Sequence, residues 1–446
     1  MAGLTNIRRA LTPRPPPPDI AEGRRSRALY ALGEANWVTV DQLSTNTYLA
    51  ALMLHLGFAD GDIGTVMALS ALVCVIQLLT LGRGGHYRGK RMVVAITSAQ
   101  RLWMAFMYFI PFLPVSSTLK MVLLGGIYFL SRAAISFGGP ASSEWVAQLT
   151  PMRIRGRYLG AKDATSVAVQ AVVLLAAGMV LDANKASTPL RSFAILGLMV
   201  TGLCVLGFTA YMFTEDRHSP KVDRAAPSES IGAQLARCLG DRSFRIVLTL
   251  DCLWQITYYI ACPYNASYSI KEMSLSFTFM SVVGFAGNIA RIFIARKMGA
   301  WADRTSMAKV LRFSILLLGL HYITWTLMRS SVAYWMYILM ALLSTTAWSF
   351  IGVGLFGVKL ELMPEGQRQV QFAVTAALSG VVGFAMSFLS GRLLALLQAQ
   401  QMVLGGMTIY PQQILNLLGV VCTAIMYFYL KRVVEANENA ARAANE

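Results

Sequence analysis

Long apolar stretches alternate with short polar segments along almost the whole chain. A dozen of these stretches are about 20 residues or longer, the length that a helix needs to cross roughly 30 Å of hydrocarbon. A helix also satisfies its own backbone hydrogen bonds, which lipid cannot do. The pattern therefore predicts an all-α membrane protein with twelve transmembrane helices. The predicted spans lie near residues 35–56, 61–82, 91–113, 118–147, 160–182, 190–213, 244–268, 275–297, 308–328, 332–360, 369–397 and 408–431.

Three pairs of segments recur along the chain at nearly the same separation. They are residues 37–48 with 249–258, 82–91 with 299–309, and 149–155 with 362–368. In the first pair, Asp41 coincides with Asp251 and Tyr48 with Tyr258. The pairs indicate an internal duplication, so that the twelve helices form two six-helix repeats.

The polar intervals between the spans predict the domain organisation. The predicted order is a disordered, basic, Pro-rich arm at 1–34, a six-helix bundle at 35–214, a cytoplasmic linker at 215–243, a second six-helix bundle at 244–432 and a polar cytoplasmic tail at 433–446.

The distribution of charge orients the protein. The net charge is +17, and most of the 39 Lys and Arg residues fall in the N-terminal arm and in alternate loops. This positive-inside pattern places both termini in the cytoplasm. It argues against a nucleic-acid partner, which would need one continuous basic surface. We expect a multi-pass protein of the bacterial cell (inner) membrane, surrounded by the lipid bilayer.

The turn after span 8 carries a resemblance to a known family. Gly299, Asp303, Arg304 and Lys309 in this turn resemble a signature of the major facilitator superfamily. The first-half turn departs from that signature, with His86 where the family usually has Asp. The resemblance implies two bundles that flank a central cavity, which opens alternately to each side of the membrane. We expect a monomer that transports a small-molecule substrate.

Ionisable residues inside spans are costly and are therefore candidates for function. Asp41 shares one helical face with Trp37 and Tyr48, and the resemblance implies that this helix and its repeat face the cavity. A desolvated carboxylate there could bind and release a proton, H+. In the alternative interpretation, each Asp caps a kink or pairs with a buried Arg. The predicted substrate- and proton-binding residues are Asp41, Tyr48, Arg132, Asp251, Trp254, Gln255 and Tyr258.

Three other ionisable residues within spans have simpler interpretations. Arg132 either holds a substrate group or is the counter-ion of Asp41, and we favour the second. Arg291 is expected to extend towards the cytoplasmic face. His321 is expected to be a packed, hydrogen-bonded histidine.

Charged residues at the cytoplasmic ends of spans predict a network that holds the inner side shut in one state. A static network at the helix ends is the alternative. The predicted gating residues are Glu144, Arg155, Asp303, Arg304, Glu361 and Arg368.

The polar residues of the spans suggest the class of substrate. Six amides lie within the spans, and together with aromatic rings they suit a sugar-like or amphipathic solute: Gln42, Asn46, Gln100, Gln170, Asn265 and Asn288. We predict secondary active transport coupled to protons or another cation, with symport preferred because span 5 lacks the Gly-Pro-rich motif of drug antiporters. Proton-coupled efflux of drugs or metabolites is the alternative. A non-transporting sensor would need a large soluble extension. No enzyme motif occurs, and neither a cofactor nor a metal is predicted.

Overall fold

The computed structural model describes residues 23–76, 90–150, 155–184, 189–215, 231–363, 368–400, 402–404 and 407–443. The helices form twelve spans in two sets of six. Spans 1 to 6 are Arg24–Leu43 with Asn46–His55, Asp60–Leu72, Lys90–Met107, Ser117–Leu149, Arg155–Asn184 and Pro189–Met212. Spans 7 to 12 are Arg242–Tyr259 with Cys262–Lys271, Phe277–Arg304, Met307–Leu327, Ala333–Leu362, Arg368–Gln398 and Pro411–Tyr429.

Eight of the described helices are long and apolar enough by composition to cross a membrane, namely those of spans 4 to 7 and 9 to 12. Span 1 is broken between Leu43 and Asn46, and span 3 is a shorter apolar helix. Because the number of spans is even, both termini lie on one side, which we call the terminal side. The opposite side is called the distal side.

Smaller elements complete the chain. They are the 3-10 turns Val73–Val75, Ile110–Phe112 and Ser330–Val332, the helices Ile231–Gly240 and Glu435–Ala443, the π-turn Leu430–Val434, and the antiparallel strands β1 Met402–Leu404 and β2 Met407–Ile409. In the two-stranded ribbon, Met402 pairs with Ile409. Several helices begin at a side chain that accepts a backbone N–H, as Ser276 does from Phe279 at 3.1 Å and Ser306 from Lys309 at 3.1 Å.

The first helix begins at Arg24 and not near residue 35. One face of its added turns is buried: Tyr30 packs against Trp145 and Tyr211 at ring distances of 5.3 and 5.4 Å. The Tyr158 hydroxyl donates a hydrogen bond to the Arg27 carbonyl at 2.9 Å. Polar and basic residues thus continue the helix beyond the apolar stretch because they gain partners on spans 4 to 6. The rest of the predicted arm, residues 1–22, lies outside the described residues.

The structure aligns the two repeats at a different residue offset from the one that pairs Asp41 with Asp251 in the sequence. The helix breaks fall at Ser44 and Ile260, which are 216 residues apart. The starts of spans 2 and 8, Asp60 and Phe277, are similarly 217 residues apart. Asp251 therefore lies about six residues, or about 9 Å, nearer the terminal side than the position equivalent to Asp41. Asp41 and Asp251, which are 210 residues apart, therefore do not occupy equivalent positions in the two repeats.

The two bundles close on each other at the distal side. Asp60 accepts hydrogen bonds from Lys271 at 2.9 Å and Gln398 at 2.6 Å, both in the second bundle. The Asp182 carboxylate accepts the backbone N–H groups of Phe277 and Thr278 at 2.9 and 2.7 Å. Since these amides are the free donors at the start of span 8, one carboxylate of the first bundle caps a helix of the second.

Spans 2 and 11 form the tightest part of this closure. A Cβ atom on Gly391 would lie 2.7 Å from the Gly61 carbonyl oxygen, and one on Gly380 would lie 2.3 Å from the Ala71 carbonyl oxygen. These are contacts of backbone with backbone, which only glycine permits. The closed distal side therefore depends on glycine at the helix crossing.

The predicted polar tail contains a docked helix, Glu435–Ala443. Glu438 is 1% exposed, and its carboxylate accepts hydrogen bonds from the Ser306 hydroxyl at 2.9 Å and the Met307 N–H at 3.0 Å. Glu435 pairs with Arg312 at 2.6 Å. The tail thus supplies the cap for the first turn of span 9.

Candidate functional site

A central cavity of about 230 Å³ lies between spans 1 and 5 of the first bundle and spans 8 and 10 of the second. Four amide side chains project from three of these spans. They are Gln42, Asn46, Gln170 and Asn288. Thr47, Tyr48, Ser281 and Tyr337 complete the polar lining. Both bundles contribute, so a solute in this cavity would contact both.

The amides of the spans divide into two sets. Gln100 accepts the Trp37 indole N–H at 2.9 Å, and Asn416 donates to Asn265 at 2.8 Å. These amides stabilise helix packing. By contrast, none of the four cavity amides has a hydrogen-bond partner within the described part of the chain. Their donors and acceptors are available to water or to a solute.

The break in span 1 presents Asn46 to the cavity. Asn46 has φ of 47°, a left-handed conformation that Asn adopts more readily than most residues. Tyr108 donates a hydrogen bond to the free Leu43 carbonyl at the break, and Thr45 donates to the Asp41 carbonyl at 2.7 Å. Such local strain persists when neighbours fix it, and it is common at binding sites.

Tyr48 is the one predicted site residue that lines the described cavity directly. Its hydroxyl donates to the Leu174 carbonyl at 2.7 Å and lies 2.9 Å from the Ser281 hydroxyl. The second contact joins span 1 to span 8 across the bundle interface. Tyr48 therefore links the cavity wall to the closed distal side.

A second lobe of about 280 Å³ adjoins the first between spans 8 and 10. The two lobes share Gly284, Asn288 and Tyr337. The polar residues found only in the second lobe are Arg291, Ser344, Thr345 and Trp348. Sequence reasoning did not single out the two hydroxyls or place Arg291 in a cavity, because an apolar helix with scattered Ser and Thr gives no signal for which face lines a cavity.

Asp41 pairs with Arg132 of span 4, at 2.8 Å between the carboxylate and the guanidinium. The Arg132 side chain is 12% exposed and that of Asp41 is 23% exposed. The geometry is that of an ion pair without a well-aligned hydrogen bond, since Oδ1 of Asp41 and both Nε and Nη2 of Arg132 lack hydrogen-bond partners. The guanidinium also lies 5.0 Å from the Tyr128 ring centre. The predicted counter-ion role of Arg132 is confirmed.

Asp251 pairs with Lys359 of span 10 at 2.5 Å, and the Asp251 side chain is 7% exposed. The alternative interpretation, a structural ion pair, therefore fits Asp251, although the partner is a Lys and not an Arg. Lys359 could not be identified beforehand, because it lies close to the end of its helix, where a basic residue is usual. Asp251 does not line either lobe of the described cavity.

Trp254 and Tyr258 lie behind the second lobe. Trp348, which lines the lobe, packs against Trp254 at 5.2 Å and against Tyr258 at 5.8 Å between ring centres. Gln255 packs beside Gly383 of span 11, where an added Cβ would lie 3.4 Å from the Gln255 Cβ. Trp254 and Tyr258 thus support a wall of the cavity, and neither they nor Gln255 line its two lobes.

The interpretations of His321 and Arg291 have different outcomes. His321 is 5% exposed, with Nδ1 3.3 Å from the Met340 carbonyl, so the packed histidine is confirmed. Arg291 lies near the midpoint of span 8, Phe277–Arg304, and lines the second lobe. The expectation that it extends towards the cytoplasmic face stays a prediction.

The predicted gating network falls largely outside the described side chains. Those of Glu144, Arg155, Asp303 and Arg368 are not described, and Arg304 and Glu361 are exposed. A charged cluster joins spans 1, 5 and 6: Lys162 pairs with Glu34 at 3.2 Å, and Tyr211 donates to Glu34 at 3.1 Å. The gating role of the six residues stays a prediction.

Glu272 at the distal side gives a pH-dependent expectation. Burial and then the charge of Asp60 raise the pKa of the Glu272 carboxyl, while Lys271 opposes the shift. Protonated Glu272 therefore favours the closed distal side, and this contribution is lost as the pH rises through the raised pKa. We expect the closed state to be more populated at about pH 4 than at about pH 7. Spin-label distances between the distal ends of spans 2 and 11 would measure this. Replacing Glu272 by Gln should make the closed-state population less dependent on pH. An unchanged pH profile in this variant would show that another group causes the dependence.

Comparison with known proteins agrees with this architecture. The family model for the Major Facilitator Superfamily matches residues 38–388. No curated protein sequence matches the chain. Among solved structures, the nucleoside transporter NupG is similar with a TM-score of 0.64 and 14% identity, covering 92% of this chain and 98% of that one. A D-xylose–proton symporter has a TM-score of 0.60 and 13% identity, covering 90% and 96%.

Two further similar structures represent the inward-facing and the outward-facing conformation. An inward-facing structure of a bacterial homologue of the iron transporter ferroportin has a TM-score of 0.63 and 12% identity, over 92% of this chain and 98% of that one. An outward-facing structure of such a homologue has a TM-score of 0.51 and 14% identity, over 91% and 97%. At these identities the likeness concerns the fold alone.

Proposed function

The chain belongs to the Major Facilitator Superfamily, and we propose that it is a secondary active transporter of a small, polar organic solute. The solute occupies the central cavity, which both bundles line. Rocking of one bundle against the other opens the cavity to each side of the membrane in turn. The distal contacts of Asp60 and Asp182 break and re-form in each cycle.

The present conformation is the inward-facing one in this proposal. With both termini in the cytoplasm, as the basic loops favour, the closed distal side faces the exterior. The higher TM-score with an inward-facing relative than with an outward-facing one supports the same assignment. The cavity is then accessible from the cytoplasm in this state.

The four unpaired amides carry the proposal about the substrate. An amide offers both donors and acceptors, which match the hydroxyl groups of a sugar-like solute. Tyr48 and Tyr337 supply flat surfaces for an apolar ring face. The relatives that carry nucleosides and D-xylose handle solutes of this polar kind.

Asp41 supplies the proton coupling in this proposal. A proton and the Arg132 guanidinium compete for the same carboxylate, since protonation removes the charge that attracts the arginine. The ion pair in the present state corresponds to a carboxylate that has released its proton to the cytoplasm. Binding of a proton from the outside would free Arg132. Solute and proton then move in the same direction, which is symport.

Replacing Gln170 or Asn288 by alanine tests the substrate site. Each replacement removes one or two hydrogen bonds, so we expect about tenfold weaker binding. The measurement is thermal stabilisation of the purified protein by a panel of sugars and nucleosides. Alanine at Gln400, which is exposed in the distal loop, is the matched control and should bind as the wild type does. Equal binding by all three variants would contradict the assignment of the cavity.

A further inference from the structure

We propose that the second lobe is an anion subsite centred on Arg291, and that the transported solute carries a carboxylate. This inference rests on the proposed function, because it adds a charged group to the solute that the amide lobe binds. Arg291, Ser344, Thr345 and Asn288 form the subsite. The two lobes share Asn288 as a lining residue, so a molecule bound at Asn288 lies beside both.

Arg291 differs from the other cations within the spans. Arg132 and Lys359 each pair with an aspartate, at 2.8 and 2.5 Å. Arg101 is 1% exposed and packs over the Tyr211 ring, outside both lobes. Arg291 lines a cavity, yet it makes neither an ion pair nor a hydrogen bond with any described residue. No direct contact with a carboxylate is therefore recorded for Arg291 among the described residues, and a ligand can supply one.

The depth of Arg291 makes this lack of a partner significant. Arg291 lies 14 residues after the start of span 8 at Phe277 and 13 before its end at Arg304, about 20 Å along the axis from each end. A charge near the middle of a span is costly and, as a rule, marks a substrate or ion pathway. The Arg291 side chain is exposed and lines the lobe, so a bound anion can reach its guanidinium.

The neighbours of Arg291 supply further hydrogen-bond donors. Within the described chain, the hydroxyls of Ser344 and Thr345 and the amide of Asn288 have no internal partner. Thr345 lies close against span 8, since a Cβ on Gly287 would be only 2.6 Å from its hydroxyl oxygen. Trp348 is held by Trp254 at 5.2 Å. The lobe is therefore a preformed set of donors beside a fixed aromatic wall.

The balance of charge selects a carboxylate. Arg291 is the charged residue among those lining the lobe, so the lobe offers one positive charge. A guanidinium binds a planar carboxylate through two parallel N–H···O bonds. A phosphate dianion would bring a second negative charge that the lobe does not neutralise. The matching solute is a hydroxylated monocarboxylate, with its hydroxyls in the amide lobe and its carboxylate against Arg291.

Asp163 on span 5 is the competing partner for Arg291. Its charge acts on Arg291 in the present state, although it is 74% exposed and lies 3.5 Å from Lys162. If Arg291 served only to latch onto Asp163 when the cytoplasmic side closes, neutralising either residue would have the same effect. The anion subsite requires Arg291 but not Asp163.

Matched acid and neutral probes test the proposal on the purified full-length protein. D-Glucuronate and D-galacturonate are compared with D-glucose and D-galactose by thermal shift and calorimetry at constant ionic strength. We expect the acids to bind more tightly. Arg291→Gln should raise the Kd of the acids about 10- to 100-fold, the range expected for hydrogen bonds to a charged group, and leave the neutral sugars unchanged. Asp163→Asn should change neither Kd by more than about twofold.

A second variant covers the case in which Arg291→Gln fails to fold. Thr345→Val keeps the side-chain shape and removes one donor, and it should weaken the acids by about fivefold. Equal effects of Arg291→Gln on acids and sugars, equal effects of Arg291→Gln and Asp163→Asn, or no Arg291-dependent binding of either acid would overturn the subsite. If the binding of neutral sugars still depends on Gln170 and Asn288, the proposed function remains supported.

Discussion

Replacing Asp41 by asparagine is expected to abolish the pH dependence of transport and to destabilise the protein. Asparagine carries no titratable proton, so uptake should no longer rise as the external pH falls. The substitution also leaves the Arg132 guanidinium, which is 12% exposed, without its partner at 2.8 Å. The free energy of unfolding should fall by about 3 kcal/mol, at the low end for a broken buried pair because Asp41 is partly exposed.

Uptake by proteoliposomes across a pH series, together with thermal unfolding, would measure both effects. The double variant Asp41→Asn/Arg132→Gln is the matched control, since it removes the charge that the single variant leaves unpaired. It should regain most of the stability yet remain insensitive to pH. An Asp41→Asn protein that keeps the wild-type pH profile would show that another group carries the proton.

Alanine at Gly391 is expected to hold the protein open at the distal side. The new Cβ would meet the Gly61 carbonyl oxygen at 2.7 Å, closer than real Cβ atoms approach backbone oxygen. Spans 2 and 11 must then separate, which breaks the neighbouring contacts of Asp60 with Lys271 and Gln398. Because the added Cβ is fixed to the backbone and meets a backbone oxygen, no side-chain rotation relieves the clash. We expect the closed state to lose at least about tenfold in population, the effect of about 1.4 kcal/mol.

Spin-label distances between positions 62 and 400, both exposed at the distal side, would report the opening. Alanine at Gly202 in span 6 is the control, since nothing lies within 4 Å of its added Cβ. The Gly202 variant should give the wild-type distance distribution. A wild-type distribution for Gly391→Ala as well would mean that the crossing is not needed for closure.

The architecture could be predicted from the sequence because a helix that crosses lipid needs about 20 consecutive, mostly apolar residues. Span length, repeats and the turn at Gly299 predicted a twelve-helix fold. The start of span 1 was missed because Tyr30 and Arg27 gain their partners from spans far along the chain. The tail helix was missed for the same reason, since Glu438 is buried only by contact with span 9.

The candidate site was predicted in part. The pairing of Asp41 with Arg132 could be foreseen because two opposite charges deep in apolar spans need each other. The cavity amides were recognisable as polar residues in spans, but sequence alone does not separate them from the packed pair Asn265 and Asn416. Only the arrangement of helices shows which amides have internal partners. The match of Asp41 with Asp251 misled because short similar segments align more easily than helix breaks do.

Proton movement driven by the solute is the most direct test of proton-coupled symport. The protein is reconstituted into vesicles that contain a pH-sensitive dye, and a solute that stabilises the purified protein is added outside. We predict that the vesicle interior becomes more acidic as the solute enters, and that Asp41→Asn abolishes this change. Solute entry with an unchanged internal pH, or with an interior that becomes more alkaline, would contradict symport.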